Sequence, residues 1–177
     1  FVDSEKFLLY FFKEKFHFFG DYEDAISSTD NFGYHSLISS LLNVGLLLPH
    51  EIIDLALNQD VPLNSKEGFI RQILGWREFI KGIYDLDGEK MHSSNFFNYK
   101  KSIPVSFYKA KSGIEPLDCS VRKLLSYGYT HHIERLMIQG NFFLLSEFSP
   151  KSVYDWFMEF YVDSVSYTHL TLPTMRT

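Results

Sequence analysis

Side chains that could do chemistry concentrate in three places. The stretch 129–137, YTHHIERLM, carries two adjacent histidines, a glutamate and an arginine. Neighbouring residues on a helix point about 100° apart, so His131 and His132 must face different surroundings. His132, Arg135 and Gln139 are spaced i, i+3 and i+7 and fall on one stripe of an otherwise apolar helix. Such a stripe is costly to bury unless every group has a partner. The protein's own backbone and acids could supply those partners, and so could a buried polar ligand. His131 and Glu134 have the spacing of a metal-binding pair, but no second His/Glu pair accompanies them, and no metal site is expected.

The second place is Arg71, Gln72, Trp76, Arg77 and Glu78. A guanidinium binds phosphate oxygens bidentately and an indole stacks on flat rings, although a surface arginine and a core tryptophan would look the same in sequence. The third is Ser36, Ser39 and Ser40 near an expected helix start, which reads as a phosphate cradle or as ordinary capping. Between Tyr99 and Gly113 there are also four lysines (Lys100, Lys101, Lys109 and Lys111) and no acid. That run is a solvated loop or a phosphate-facing patch.

The elements that must position these groups all read as helices. Residues 4–19 form one, closed by Gly20 and Asp21, and Asn31 caps a second that runs toward Gly45. Pro49 opens a third. Asn64 or Ser65 caps a fourth, whose buried stripe includes Phe69, Ile70, Ile73, Leu74, Ile80 and Ile83. Residues 85–115 scatter Gly, Asn, Ser and Pro without a period and read as a long loop. Helices over 118–126, ended by Gly128, and over 129–146 follow, and Ser149 with Pro150 opens the last. The fold class is all-α.

The chain has 177 residues, 45% of them hydrophobic and 22% charged, the balance of a packed protein rather than a disordered one. Its 18 Phe and 11 Tyr suit a core and also suit planar ligands. A net charge of −5 argues against a strongly basic nucleic-acid binder. No apolar run approaches the roughly 18–20 residues needed to cross a bilayer, so no membrane association is expected. The single cysteine, Cys119, forms no internal disulfide, which points to a reducing compartment and a cytoplasmic location. No signal peptide is expected at the start, and Phe1 in place of a methionine suggests a start inside a longer protein. Residues 165–177, VSYTHLTLPTMRT, share no helical pattern with the rest. Residues 165–174 can be encoded in one frame by a sequencing-library adapter, so the tail is expected to be non-native and residues 1–164 the authentic part.

Taken together, five blocks resemble the bacterial photolyase-related branch of the photolyase and cryptochrome superfamily. They are GDYEDA (20–25), YHSLISSLLNVGLL (34–47), EGFIRQILGWREFIKGIY (67–84), GYTHHIERLMIQGNFFLL (128–145) and WFMEFYVDS (156–164). The resemblance implies a partial helical flavin-binding domain over residues 1–164, with the family's α/β antenna domain before Phe1 and the rest of the pocket after Ser164. The antenna pigment is therefore not specified by this chain. The implied cofactor is FAD and the implied partner is ultraviolet-damaged DNA; no protein partner is implied.

By the same resemblance, Tyr22, His35, Ser36 and Ser39 would approach the FAD phosphates and ribityl chain, and Gln72 and Arg77 would line the cofactor. Arg135 and Asp163 match a buried ion pair beside the isoalloxazine. Trp76 matches a position near the lesion, Lys100 and Lys101 are candidate DNA contacts, and His132 matches the acid of (6-4) photoproduct repair. The implied function is light-driven repair of the (6-4) type. A cryptochrome-like photoreceptor and a helical binding module without flavin are the alternatives. Many relatives also carry a [4Fe–4S] cluster on four cysteines. Its first ligand position falls near Pro116, one helical turn before Cys119, so Cys119 is read as an ordinary thiol and the cluster is not carried over.

Overall fold

The computed structural model describes residues 2–164, which form ten α-helices and two π-helical segments with no strand among them. The expected non-native tail, residues 165–177, lies outside the described residues. The chain divides between Gly82 and Ile83 into two compact units, each with its own apolar core. The all-α expectation holds. No helix among the described residues is long and apolar enough to cross a membrane.

The first unit contains α1 (Val2–Glu14), α2 (Phe16–Tyr22), α3 (Ser39–Asn43), α4 (Pro49–Leu57), α5 (Leu63–Ile70) and a π-helical segment (Arg71–Gly75). The next helix, α6 (Trp76–Ser93), begins in this unit. Phe11, Phe12, Phe16 and Phe19 surround Phe69, with ring centroids 5.0–5.8 Å from it in tilted and edge-on arrangements. The expected single helix over 4–19 is interrupted at Lys15, whose φ is −120°. The Lys15 ammonium donates to the Gly33 carbonyl at 2.6 Å, tying the break to the following loop.

The expected helix from Asn31 is also corrected. Leu37 adopts a left-handed φ of 57°, and helix appears only at Ser39. Ser65, expected as a cap, is instead fully buried inside α5. Its Oγ donates to the His17 carbonyl and accepts from the Gly20 N–H, both at 2.9 Å. The helices approach so closely there that a Cβ on Gly20 would lie 2.5 Å from the Ser65 backbone nitrogen.

The second unit holds the rest of α6, α7 (Val105–Tyr108), α8 (Glu115–Tyr127), a π-helical segment (Glu134–Gly140), α9 (Asn141–Leu145) and α10 (Pro150–Phe160). Phe143, Trp156 and Phe157 are fully buried against Leu117, Val121 and Leu124 of α8. The last helix starts as expected: Pro150 takes the first turn and the Ser149 hydroxyl accepts from the Ser152 N–H. Gly128 ends α8 with φ at 62°, also as expected.

The long loop expected over 85–115 is shorter than its composition suggests. Helix α6 continues to Ser93, with the Tyr84 ring lying across Gly88, and α7 interrupts the remainder. At the end of this loop the Asp118 carboxylate accepts from the Ser112 hydroxyl (2.7 Å), the Ser112 N–H (2.8 Å) and the Gly113 N–H (3.0 Å). These bonds, the Ser112 hydroxyl first, hold its pKa below the usual value.

The α2–α5 contact sets a ranking of variants. Ser65→Ala removes the hydroxyl that ties the Gly20 N–H to the His17 carbonyl and should cost about 0.5–1.5 kcal/mol in denaturant melts. Gly20→Ala should cost more, because its new methyl meets backbone that cannot rotate away. Equal melting of Gly20→Ala and the parent would overturn the close-approach account.

Candidate functional site

In the second unit the chemistry gathers around one buried amide. Gln139 has no exposure to solvent and sits near the end of the π-helical segment. Its Nε2 donates to the buried Ser120 Oγ at 2.7 Å, and its Oε1 accepts from the Tyr161 hydroxyl. That hydroxyl is also 2.6 Å from the Oγ1 of Thr130, likewise buried, so the threonine supplies the proton in their contact. Four residues before Gln139, the Arg135 guanidinium lies over the face of Tyr161, 4.0 Å from the ring centroid. Its Nη2 donates to both carboxylate oxygens of Asp163 at 2.9 and 3.1 Å. Both side chains of this ion pair are mostly buried, with 16% and 17% of their surface exposed.

The backbone delivers Asp163 to this place. The Val162 N–H donates to the Gly128 carbonyl at 3.1 Å, and the Ser164 hydroxyl donates to the Phe157 carbonyl at 2.8 Å. The segment after α10 is thereby turned back toward the end of α8. Gly128 is required at this contact, since a Cβ there would meet Val162 Cγ1 at 2.9 Å. Burial pushes the Tyr161 phenol up to about 12 against the opposing pull of Arg135, and it raises Tyr129 further still. Both phenols stay protonated at neutral pH and remain available as donors.

The expected helix over 129–146 begins only at His132, so His131 lies just before it and the two histidines meet different surroundings. His131 is buried, with its Nδ1 accepting from the Ile133 N–H at 3.2 Å, while His132 is exposed. Their ring centroids lie 6.4 Å apart. Glu134, the other half of the considered metal pair, is buried and pairs with Lys123 at 2.8 Å. No group of three or more metal-binding side chains comes together among the described residues, and Cys119 is a half-buried thiol on α8. Lys100 is exposed, and Lys101 pairs with Glu147 at 2.6 Å.

In the first unit, His35 and Ser36 line a cleft of about 230 Å³ with Lys6, Tyr10, Lys15 and Leu37. The His35 Nε2 lies 2.8 Å from the Glu23 carbonyl. Desolvation lowers the Lys15 pKa, opposed by Asp30, and raises that of Glu23. Tyr22 stacks on Tyr34 with centroids 5.3 Å apart. Ser39 begins a helix of five residues, too short for the helix-dipole cradle considered from the sequence. Gln72 is exposed within the π-helical segment, Arg77 is half-buried, and Trp76 is exposed and stacked on Phe79.

Sequence reasoning singled out His132, Arg135, Gln139 and Asp163 but missed Ser120, Thr130 and Tyr161. Tyr161 lies 22 residues beyond Gln139, and no local spacing announces such a contact.

Tyr161→Phe separates the two roles of that side chain, keeping a ring under Arg135 while removing the hydroxyl from Gln139. It should cost about 1–3 kcal/mol of stability. The parent's pH dependence has a definite sign. Because the folded phenol titrates higher than an unfolded one, its contribution is full below pH about 10 and is lost as pH rises toward about 12. Alkaline melts should therefore show the gap between parent and Tyr161→Phe closing over that window. A gap that stays constant would remove Tyr161 as its source.

No family model matches the chain. It is 38% identical over 173 residues, 96% of its length, to a (6-4) photolyase of Agrobacterium fabrum, and it spans about a third (34%) of that protein's length. It is also 35% identical over 112 residues, 60% of its length, to an uncharacterized protein of Acanthamoeba polyphaga mimivirus, of which it covers 85%. The photolyase match runs almost end to end and takes in both the first-unit cleft and the Arg135–Asp163 pair. With a helical fold throughout the described residues, the chain belongs to the photolyase family.

Proposed function

We propose that this chain forms part of the helical flavin-binding domain of a light-driven DNA photolyase, a lyase that acts on (6-4) lesions in ultraviolet-damaged DNA. The observation that carries the reading is the similarity, over 96% of the chain, to a protein named for that activity. The Arg135–Asp163 pair supports it, since the family resemblance assigns that pair to the side of the flavin ring and here it is formed and mostly buried.

The cofactor would be FAD, and the donor set suits it. The Arg135 Nε is buried with no hydrogen-bond partner among the described residues, and a flavin ring nitrogen or carbonyl would satisfy it. Tyr22, His35, Ser36, Ser39, Gln72 and Arg77 carry the hydroxyl, imidazole, amide and guanidinium donors that a pyrophosphate and a ribityl chain require. Bound and reduced, FAD would supply the light-driven electron chemistry of repair.

The remaining tasks fall to the chain. Asp163 and the Tyr161 ring fix the plane of the Arg135 guanidinium from two sides, so its free donor is held ready rather than searching. His132 is exposed and can meet a substrate. Its imidazolium N–H would give a proton to the lesion, a task suited to the side chain that ordinarily changes charge near neutral pH. Trp76 would stack on the flipped-out bases, which leave the duplex most easily where pairing is already broken. Lys100 would take a DNA phosphate, and Lys101 would do so while shared with Glu147.

The test uses the full-length protein, its flavin absorbance, and a duplex carrying a single (6-4) lesion. The parent should be yellow and repair the lesion under blue light. His132→Ala should keep the flavin and lose repair by about 100-fold or more, the scale of general acid catalysis. Undiminished repair by that variant would sink the acid assignment. A yellow protein without repair would favour the photoreceptor reading, and a colourless one the flavin-free helical module.

A further inference from the structure

Between α6 and α7 the chain makes a tight turn that leaves its aromatic rings in water. Asn95 holds the turn: its Nδ2 donates to the Tyr99 carbonyl (2.7 Å), its Oδ1 accepts from the Tyr99 N–H (2.9 Å), and its own carbonyl accepts from the Asn98 N–H (3.0 Å). Asn98 takes the left-handed φ of 55° that closes it. Within this clamp Phe97 is stacked on Tyr99, with centroids 5.2 Å apart and planes 18° from parallel, and Phe96 meets Phe97 edge-on at 5.0 Å. Phe96 is 72% exposed and Phe97 50%. The following residue pair is anchored too, since the Lys101 carbonyl accepts from the Ser149 N–H at 2.8 Å.

Clustered exposed rings are unfavourable in water, and a turn shaped by stability alone would bury them. Here amide hydrogen bonds fix the backbone and hold the rings outward, so a flat partner would find them already ordered. The charge nearby identifies that partner. Lys100 follows the stack directly, and residues 99–113 carry four lysines and no carboxylate. Lys101 is committed to Glu147, whereas Lys100, Lys109 and Lys111 are exposed and form no ion pair among the described residues. Flat rings beside uncompensated cations match a strand with flat bases and an anionic backbone.

We propose that the Phe96–Phe97–Tyr99 turn is a stacking platform for unpaired bases of a single or locally opened DNA strand, with Lys100 on the adjoining phosphate. This rests on the DNA-repair reading above and adds a base-stacking surface to the Lys100 phosphate contact proposed there.

The probe is a short single-stranded oligonucleotide carrying 2-aminopurine, whose fluorescence falls when the base stacks, mixed with the full-length protein at low salt. The parent should bind it and quench it. Phe97→Ala should bind about 5- to 100-fold more weakly without quenching, and Phe97→Trp should restore both. The melting temperature and flavin absorbance should not change, because the ring is half in solvent. Equal binding by Phe97→Ala and the parent, or binding by the parent without quenching, overturns the platform. The lesion-repair assay then judges the repair reading separately. A lower melting temperature for Phe97→Ala at unchanged DNA affinity would make the rings a seat for another stretch of protein, and would overturn the platform as well. So would binding to anionic phospholipid vesicles, lost in Phe97→Ala, with no binding to the oligonucleotide.

Discussion

An amide shut away from water must find all its partners inside the protein, and Gln139 imposes that requirement on the second unit. Its nitrogen is answered from α8 by Ser120 and its oxygen from beyond α10 by Tyr161. Both answering residues are buried, so none of the three can turn to solvent for an alternative. Arg135 then rests on the ring whose hydroxyl Gln139 has fixed, and Asp163 closes the arrangement from two residues further on. The orientation of one guanidinium is thus secured by a chain of neutral hydrogen bonds beneath it. In such a network each bond depends on its neighbours, because an unmade bond costs more than a made bond contributes.

The first unit relies on proximity instead. Where α2 meets α5 there is no side chain on Gly20, and the Ser65 hydroxyl joins the two backbones directly. That contact sets how far apart the helices lie and therefore how Phe16 and Phe19 of α2 can crowd Phe69 of α5. The break at Lys15 offsets α2 from α1, and Phe11 and Phe12 reach the same ring from the other side of it. A core this rich in phenylalanine packs by edge-on and tilted contacts, which tolerate little change in spacing.

Local chemistry was legible wherever it was self-contained. Pro49, Gly128 and the Ser149–Pro150 pair mark helix ends through their own backbone preferences, and the structure places ends there. What could not be read depends on distant partners. Ser65 looks like a cap until His17 and Gly20 are brought to it, and the residues after Asn31 look helical until Leu37 turns left-handed. The glycine at 88 suggested a loop, yet the ring of Tyr84 covers it and the helix runs on. At the candidate site, the expected stripe signalled a need for partners that Arg135 and Gln139 show and the exposed His132 does not, and Tyr161 and Ser120 became visible as those partners only in three dimensions.

Two helical stretches, Arg71–Gly75 and Glu134–Gly140, are wound in the wider π fashion, the first bearing Gln72 and the second both Arg135 and Gln139. A π stretch holds a residue more than the α-helix that could replace it. Deleting a single residue there could be absorbed quietly, by rewinding to α with the helix otherwise unbroken. The rotation would be absorbed with it, because a π turn with one residue more sweeps nearly the same angle as the α turn that replaces it, so the flanking helices would keep their facing. Slippage of one codon triplet between residues 135 and 139 would therefore leave a helix of good composition and facing whose arginine and glutamine, three apart instead of four, no longer stand at the spacing that Tyr161 bridges. In these two places the count of residues is as much a part of the design as their identity.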